Sequence, residues 1–302
     1  MNKLLHDKIN RLKKVKKEIA FFTFVFFLAM IFGSFIPEGY DWRVYFSQGN
    51  IPALWTPWAG AIVKFLNFPT LIAITITSIV VRTYMYNTSP IPAVLACVSF
   101  PTLWVILLGN LDGIVLLGLM LLPWGIPLVA LKPQIAIFSL LAKKSYVIAG
   151  VVWLLISILI WGLWPLNFLV VSEPGWKVEW TQDIALFPWG ILLAVPLLWF
   201  SRKDQDLLML AGSFATPHLF PYHFLIVMPA LGRMKKGWMI AAWALSWSPL
   251  LAQPFGDIGW HFGNLFALVM WFGIYLNKKS EPFSFPKLAF NKARTNESNQ
   301  VF

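Results

Sequence analysis

The stretch Ile19–Ile36, IAFFTFVFFLAMIFGSFI, decides the class of fold. Its 18 residues carry no charge, and roughly 20 apolar residues suffice for a helix to cross a bilayer. Seven of the chain's 24 basic residues precede it. The run is longer than a signal-peptide core and lacks a following small-residue cleavage site. It therefore predicts a retained first membrane helix with a cytoplasmic N-terminus.

Composition extends this prediction to the whole chain. Of 302 residues, 58% are hydrophobic and only 12% charged, whereas soluble domains carry roughly 25% charged residues. At about 20 residues a span, we expect an all-α polytopic transmembrane bundle of about eight to ten membrane segments. A soluble enzyme is excluded, and the single cysteine, Cys97, excludes an intramolecular disulfide and a cysteine-based metal site.

The basic residues predict the orientation of the bundle. If sides alternate at each apolar run, 20 of the 24 basic residues lie in the cytoplasm, as the positive-inside rule requires. The net charge of +11 is thus explained by topology, and no nucleic-acid partner is expected. The predicted organisation is a cytoplasmic basic N-terminus (1–18), a transmembrane domain (19–276) with its first outer loop at 37–66, and a disordered basic cytoplasmic tail (277–302).

The predicted membrane runs differ in continuity. We expect continuous helices at Phe68–Val81, Ile91–Leu108, Tyr146–Leu163, Ile184–Phe200, Trp238–Leu251 and Phe262–Leu276. Prolines break the segments 113–142 and 207–231 into short or re-entrant pieces, and such pieces are tolerated only where protein or a wet cavity covers them. The second of these segments is expected to start and end on the cytoplasmic side. Most of the 17 tryptophans are expected to be interfacial anchors.

The first outer loop carries the first candidate site. It includes DWRVYF (41–46). A carboxylate at the membrane surface can act as a general base on a hydroxyl, with Asp41 as the first choice and Glu38 as the second. Arg43 either binds a phosphate or pairs with Asp41. The alternative is that these are ordinary solvated loop residues, and the following 52–66 segment reads as an interfacial helix.

Two further candidates flank the first broken segment. In GNLDG (109–113), Asn110 and Asp112 either bind a polyol or cap the following helix. In LKPQ (131–134), Lys132 is the only charge among 30 residues. A lysine at the bilayer centre costs roughly 2.5–3.5 kcal/mol, so Lys132 either extends to the interface or meets an anion such as a phosphate.

The fourth candidate is the kink TPHLFPYH (216–223) in the second broken segment. His218, Tyr222 and His223 can donate hydrogen bonds to a phosphate or a sugar, or simply satisfy a broken helix. The two histidines lack the i, i+4 spacing of a helical zinc site. No metal site is evident, and no cofactor is expected.

These four places together resemble the GT-C glycosyltransferases that use polyprenyl-phosphate-mannose, most closely the bacterial α-mannosyltransferases of glycosyltransferase family 87. The resemblance covers about residues 19–276, although the family turn more often carries Gln where this chain has Asn110. It implies a GT-C fold in the plasma (inner) membrane, with both termini cytoplasmic and an extracytoplasmic active site.

The resemblance also implies a reaction and roles for the residues. Asp41 would deprotonate a hydroxyl of a lipid or glycan acceptor. The acceptor would then receive a hexose, with mannose as the preferred candidate, from a polyprenyl-phosphate donor with inversion at the anomeric carbon. Candidate phosphate contacts are Arg43, Lys132, His218 and His223. Candidate sugar or acceptor contacts are Asn110, Asp112 and Tyr222.

Two other functions remain open at this point. Broken helices and an intramembrane lysine are equally typical of a transporter or lipid flippase. A non-catalytic scaffold subunit is the other alternative. A transporter would need Lys132 and not Asp41, whereas a scaffold would need neither.

Overall fold

The structure, a computed structural model, describes residues 2–49, 56–166 and 182–278, with side chains from Val15 onward. All regular secondary structure in these ranges is helical. The α-helices in chain order are α1 Asn2–Ser34, α2 Ala59–Val63, α3 Phe68–Tyr86, α4 Pro90–Cys97, α5 Phe100–Leu108, α6 Asp112–Met120, α7 Ile126–Val129, α8 Pro133–Ala136, α9 Lys144–Trp161, α10 Ile191–Ser201, α11 Gln205–Gly212, α12 Lys236–Ser246, α13 Ala252–Phe255, α14 Asp257–His261 and α15 Gly263–Lys278. The 3₁₀ stretches are Ile137–Ala142, Trp164–Leu166, Ser213–Ala215, Pro221–Arg233 and Ser248–Leu251, and Trp42–Phe46 forms a π-helical turn.

Three helical stretches among the described residues are long and apolar enough to cross a membrane. They are α3, α9 and the stretch Asp257–Lys278, which comprises α14 and α15. The pair α4 and α5 qualifies as a fourth span, although it bends by 49° at its junction. Pro101 explains this bend, because it lies in the first turn of α5 and lacks the N–H that would continue the preceding helix. The expected straight crossing Ile91–Leu108 is therefore broken.

Other boundaries also differ from the expected ones. Helix α1 begins at Asn2, not near Ile19, because residues 2–18 contain no glycine or proline and many good helix formers. Helix α10 begins at Ile191, not Ile184, since Pro188 interrupts the run. Of the expected interfacial helix 52–66, only Ala59–Val63 is α-helical, and 52–55 lie outside the described residues. The expected disordered tail, from residue 279 onward, also lies outside them.

The tryptophans divide into two groups. Trp124, Trp189 and Trp199 are exposed, as membrane anchors would be. Trp42 and Trp58 are only 4% exposed each, so the expectation of an interfacial anchor is wrong for these two. Trp58 packs edge-on against Trp153 and Trp164 and thereby ties the first loop to the region of α9. Trp176 and Trp180 lie outside the described residues.

The first broken segment folds back on itself. Helices α6 and α7 pack closely because Gly118 and Gly125 meet, and a Cβ on Gly125 would lie 2.0 Å from the Gly118 carbonyl oxygen. The chain thus returns to the start of α6, where Lys132 Nζ lies 2.8 Å from Asp112 Oδ2. It then runs through α8 and the 3₁₀ stretch Ile137–Ala142 to Lys143.

The second broken segment also folds back, and ion pairs close its base. Arg82 Nη2 donates to Asp206 Oδ1 at 2.8 Å, and Arg233 Nη1 donates to Asp206 Oδ2 at 2.6 Å. Arg233 also donates to Asp204. Residues 204 and 233 are therefore adjacent in space, which agrees with the expectation that this segment starts and ends on one side.

These contacts define two ends of the bundle. We call the end that holds Asp41 and Gly109 the site end, and the end that holds Arg82 and Arg233 the ion-pair end. The kink at residues 216–223 lies at the turn of the second fold-back, far along the chain from its base. At that turn the Tyr222 ring lies against Lys132 Nζ.

Candidate functional site

Two glycines bring the first loop against the end of α5. Gly39 lies so close to α5 that a Cβ on it would be 2.3 Å from the carbonyl carbon of Leu108. Gly109 ends α5 in the left-handed conformation, with φ +71°, and a Cβ on it would be 2.6 Å from Trp42 Cβ. The close approach places Asp41, which precedes the π-helical turn, beside Asn110.

Asn110 is the direct partner of Asp41. Its Nδ2 donates a hydrogen bond to Asp41 Oδ2 at 2.6 Å, and its Oδ1 accepts one from the Leu111 backbone N–H at 2.7 Å. Asn110 is 1% exposed. The alternative in which Asn110 caps the next helix is not what is observed, since the N-cap of α6 is Leu111.

Lys132 and Asp112 form a buried ion pair next to this contact. Their side chains are 6% and 3% exposed, and Lys132 Nζ also lies 4.5 Å from the centroid of the Tyr222 ring. The anion that the sequence predicted for Lys132 is, within the protein, the Asp112 carboxylate. Pairing offsets the cost of burying either charge alone.

The kink supplies the remaining side chains. Tyr222 lies close to the side chain of Asn110, and the Tyr222 and His223 ring centroids lie 4.6 Å apart. Thr216 Oγ1 donates to the Gln134 carbonyl oxygen at 3.0 Å, which fastens the kink to the LKPQ stretch. His223 is buried, and its Nδ1 accepts a hydrogen bond from the Phe220 N–H.

His218 lies at the more exposed side of the cluster. Its Nδ1 is 2.7 Å from Asp183 Oδ2, and the two side chains are 33% and 19% exposed. Asp183 Oδ1 accepts hydrogen bonds from the backbone N–H groups of Leu219 and Ala185. The Ile184 N–H donates to the Leu219 carbonyl oxygen, so two hydrogen-bonded chain segments hold the pair in place.

The environment of Asp41 alters its acidity. Burial raises the pKa of Asp41, and the nearby Asp112 raises it further, while Lys132 and the hydrogen bond from Asn110 lower it. The pKa of Asp41 lies above its ordinary value as the net result. A carboxylate with a raised pKa is a stronger base than an exposed one, as general-base catalysis near neutral pH requires.

The structure thus gathers most of the residues singled out from the sequence. Those brought together in one cluster are Asp41, Asn110, Asp112, Lys132, His218, Tyr222 and His223. Glu38 and Arg43 are exposed. Among the described residues, neither side chain makes a hydrogen bond or ion pair with this cluster, and Arg43 does not pair with Asp41.

Asp183 is a member of the site that the sequence did not predict. In the sequence it is only one of several acids of an outer loop, and it lies 35 positions before the histidine that it contacts. No spacing rule links residues so far apart. The one available signal was that Asp183 immediately precedes an apolar run.

The Asp183 contacts lead to a prediction about stability and pH. Burial alone raises the pKa of Asp183, but the hydrogen bonds from His218, Leu219 and Ala185 outweigh it, so this pKa lies below its ordinary value. The ionised carboxylate therefore stabilises the fold at pH values above about 4, and the contribution is lost as pH falls through the lowered pKa. We expect Asp183→Asn to lower stability by about 1–2 kcal/mol at pH 7.

Thermal unfolding in detergent from about pH 3 to pH 8 measures this effect. The gap in melting temperature between the wild type and Asp183→Asn should narrow as the pH falls below about 4. Asp257→Asn, at an exposed acid of the site end, is the control and should show no such gap. A gap that is independent of pH would contradict the assignment.

Metal ligands are sparse in this cluster. Within the part of the chain that the structure describes, no three His, Cys, Asp or Glu side chains are placed to hold a metal ion. The polar groups at hand are instead one buried ion pair, one amide-held carboxylate and one histidine–carboxylate pair. They can accept a proton, donate hydrogen bonds and bind hydroxyl groups.

Comparison of the chain with protein-family models, with curated proteins and with solved structures finds no match.

Proposed function

We propose that this protein is an integral-membrane glycosyltransferase of the GT-C type. In this proposal it crosses or enters the inner membrane with about eight to ten segments, the short and broken helices included, and both termini are cytoplasmic. The site end faces the extracytoplasmic side. There the enzyme transfers a hexose, with mannose as the preferred candidate, from a polyprenyl-phosphate donor to a hydroxyl of a lipid or glycan acceptor.

The convergence of separate sequence segments on Asp41 carries the proposal. Asn110 contacts Asp41 directly, Tyr222 contacts Asn110, and Lys132 lies against Tyr222. These residues come from three parts of the chain outside the first loop. A half-buried carboxylate with such neighbours suits a general base better than an isolated loop acid does.

The proposed reaction is a single inverting displacement. Asp41 takes the proton of the acceptor hydroxyl, and the acceptor oxygen forms a bond to the anomeric carbon of the sugar. The bond between that carbon and the phosphate oxygen breaks, and the lipid phosphate leaves with the electron pair. Groups that stabilise the leaving phosphate then contribute most, because negative charge develops there in the transition state.

The geometry ranks the candidate phosphate contacts. Both Lys132 and His218 have a carboxylate partner, but the Lys132 side chain is 6% exposed and that of His218 is 33% exposed, so we assign the phosphate first to His218 and second to Lys132. His223 is buried and hydrogen-bonded to the backbone, which suits support of the kink. Arg43 remains a candidate from the exposed side of the first loop. Asp112 and Tyr222 remain candidates for contacts to the sugar or acceptor.

Two fold-backs favour a second candidate function, a lipid or small-molecule transporter. Non-helical backbone at membrane depth is tolerated where it lines a cavity, and broken helices frequently form transport sites. This alternative would require Lys132 and leave Asp41 dispensable. The two proposals therefore differ in which charged residue is essential.

A transfer assay tests the proposed function. Membranes that contain the wild type are given labelled polyprenyl-phosphate-mannose or the corresponding glucose lipid, and labelled lipid and glycan products are extracted. We expect product from one donor and none in membranes without the protein. No transfer from either donor, with the protein present and folded, would reject the proposal and leave the transporter and the scaffold subunit as the alternatives.

A further inference from the structure

Two hydrogen bonds within the protein hold the Asn110 side chain. Its Oδ1 accepts from the Leu111 N–H at 2.7 Å, and its Nδ2 donates to Asp41 Oδ2 at 2.6 Å. An amide has one acceptor oxygen and two N–H donors. Asn110 is 1% exposed, so water does not compete for these bonds.

The bond from Leu111 fixes which way the amide points. A backbone N–H can only donate, so the atom that faces it must be the carbonyl oxygen. The NH₂ group is consequently directed toward Asp41. A flipped amide would turn its oxygen toward the Asp41 carboxylate, which would place two acceptors in contact.

The same bond distinguishes the two oxygens of Asp41. Oδ2 accepts from Asn110, whereas no described side chain or backbone group donates a hydrogen bond to Oδ1. Lys132 and Asp112 act on the carboxylate through their charge, without a hydrogen bond to it. Asn110 is therefore the one hydrogen-bond donor to Asp41 among the described residues.

We infer that Asn110 is a positioning residue for Asp41, which holds the carboxylate ionised by its bond to Oδ2 and turns Oδ1 toward the acceptor hydroxyl. This role replaces the sugar contact that the sequence suggested for Asn110. The inference rests on the proposed function for the direction of the proton transfer. The hydrogen bond from Asn110 to the Asp41 carboxylate does not depend on that function.

Asn110→Asp is the substitution that tests this inference. It keeps the size of the side chain but places a second carboxylate next to Asp41, and two carboxylates at hydrogen-bond distance share one proton. We expect the acid limb of the kcat/KM profile to move up by at least about one pH unit, with the KM for the donor lipid unchanged. Asn67→Asp is the matched control, because Asn67 caps α3 and aspartate is an equally good N-cap.

A second readout is independent of transfer. Hydrophobic carbodiimides modify protonated carboxyl groups, so the pH dependence of Asp41 labelling, measured by mass spectrometry, reports its protonation. We expect the fraction of Asp41 labelled at neutral pH to rise severalfold in Asn110→Asp and not in Asn67→Asp. An unchanged labelling profile would overturn the inference, as would a raised donor KM with an unchanged acid limb.

The two readouts separate the two proposals. If the wild type transfers no sugar while Asn110→Asp still shifts the labelling of Asp41, the proposed function is rejected. The effect of Asn110 on the protonation of Asp41 is then still supported. If the wild type is active and neither the acid limb nor the labelling moves, the function stands and the role of Asn110 is rejected.

Discussion

Replacing Asp41 by asparagine is expected to lower the rate of sugar transfer by about 10²–10⁴-fold, the usual contribution of a general base. The asparagine oxygen can still accept the hydrogen bond from Asn110 Nδ2, so the fold should be preserved. What is lost is the group that takes the acceptor proton. Initial rates at saturating donor, normalised to the amount of folded protein, measure the effect.

Two other acids make this prediction specific. Asp257→Asn changes an exposed acid at the site end and should leave transfer unchanged. Glu38→Gln distinguishes the two candidate bases, and we expect it to retain transfer because Glu38 is exposed and does not contact the cluster. Equal rates for the wild type and Asp41→Asn would remove Asp41 from the mechanism.

Replacing Lys132 by methionine is expected to cost about 3–5 kcal/mol of stability. The substitution removes one partner of a buried ion pair and leaves the Asp112 carboxylate, 3% exposed, without its counter-charge. Methionine fills a similar volume, so the loss comes mainly from the charge. Reversible unfolding in mixed micelles measures the free energy.

A second substitution separates loss of the pair from loss of packing. Lys132→Met combined with Asp112→Leu removes both charges and should recover most of the stability, because replacing both members of a buried pair by apolar groups is often neutral. Lys144→Met, at an exposed lysine, is the control. A double variant as unstable as Lys132→Met would show that the charge pair is not the cause.

Much of the candidate site could be predicted from the sequence, because its members stand out locally. Lys132 lies alone in a long uncharged run, and Asp41, Asn110 and Tyr222 lie in polar breaks between apolar segments. The contacts between these residues could not be predicted. The partner of Lys132 is 20 positions away, and that of Asp41 is 69 positions away. Residues so far apart in the sequence are brought together by packing between helices, and no local sequence pattern indicates that packing.

The fold was predictable to the same extent. The class of an all-helical, apolar chain with broken segments follows from composition and prolines. The start of α1 at Asn2 could not be predicted in this way. Hydropathy indicates which part of a helix is apolar and carries no information on how far the helix extends beyond that part. The bend between α4 and α5 and the late start of α10 had their signals in Pro101 and Pro188.

The ion pairs at the base of the second fold-back carry an expectation about evolutionary change. Asp206 is hydrogen-bonded to both Arg82 and Arg233 and is 1% exposed. Replacing any one of these three residues therefore leaves a buried charge without its partner. In related sequences these three positions should therefore vary jointly, by loss or reversal of all the charges together. Covariation among them would mark the fold-back as an inherited feature even in relatives whose first loop has diverged.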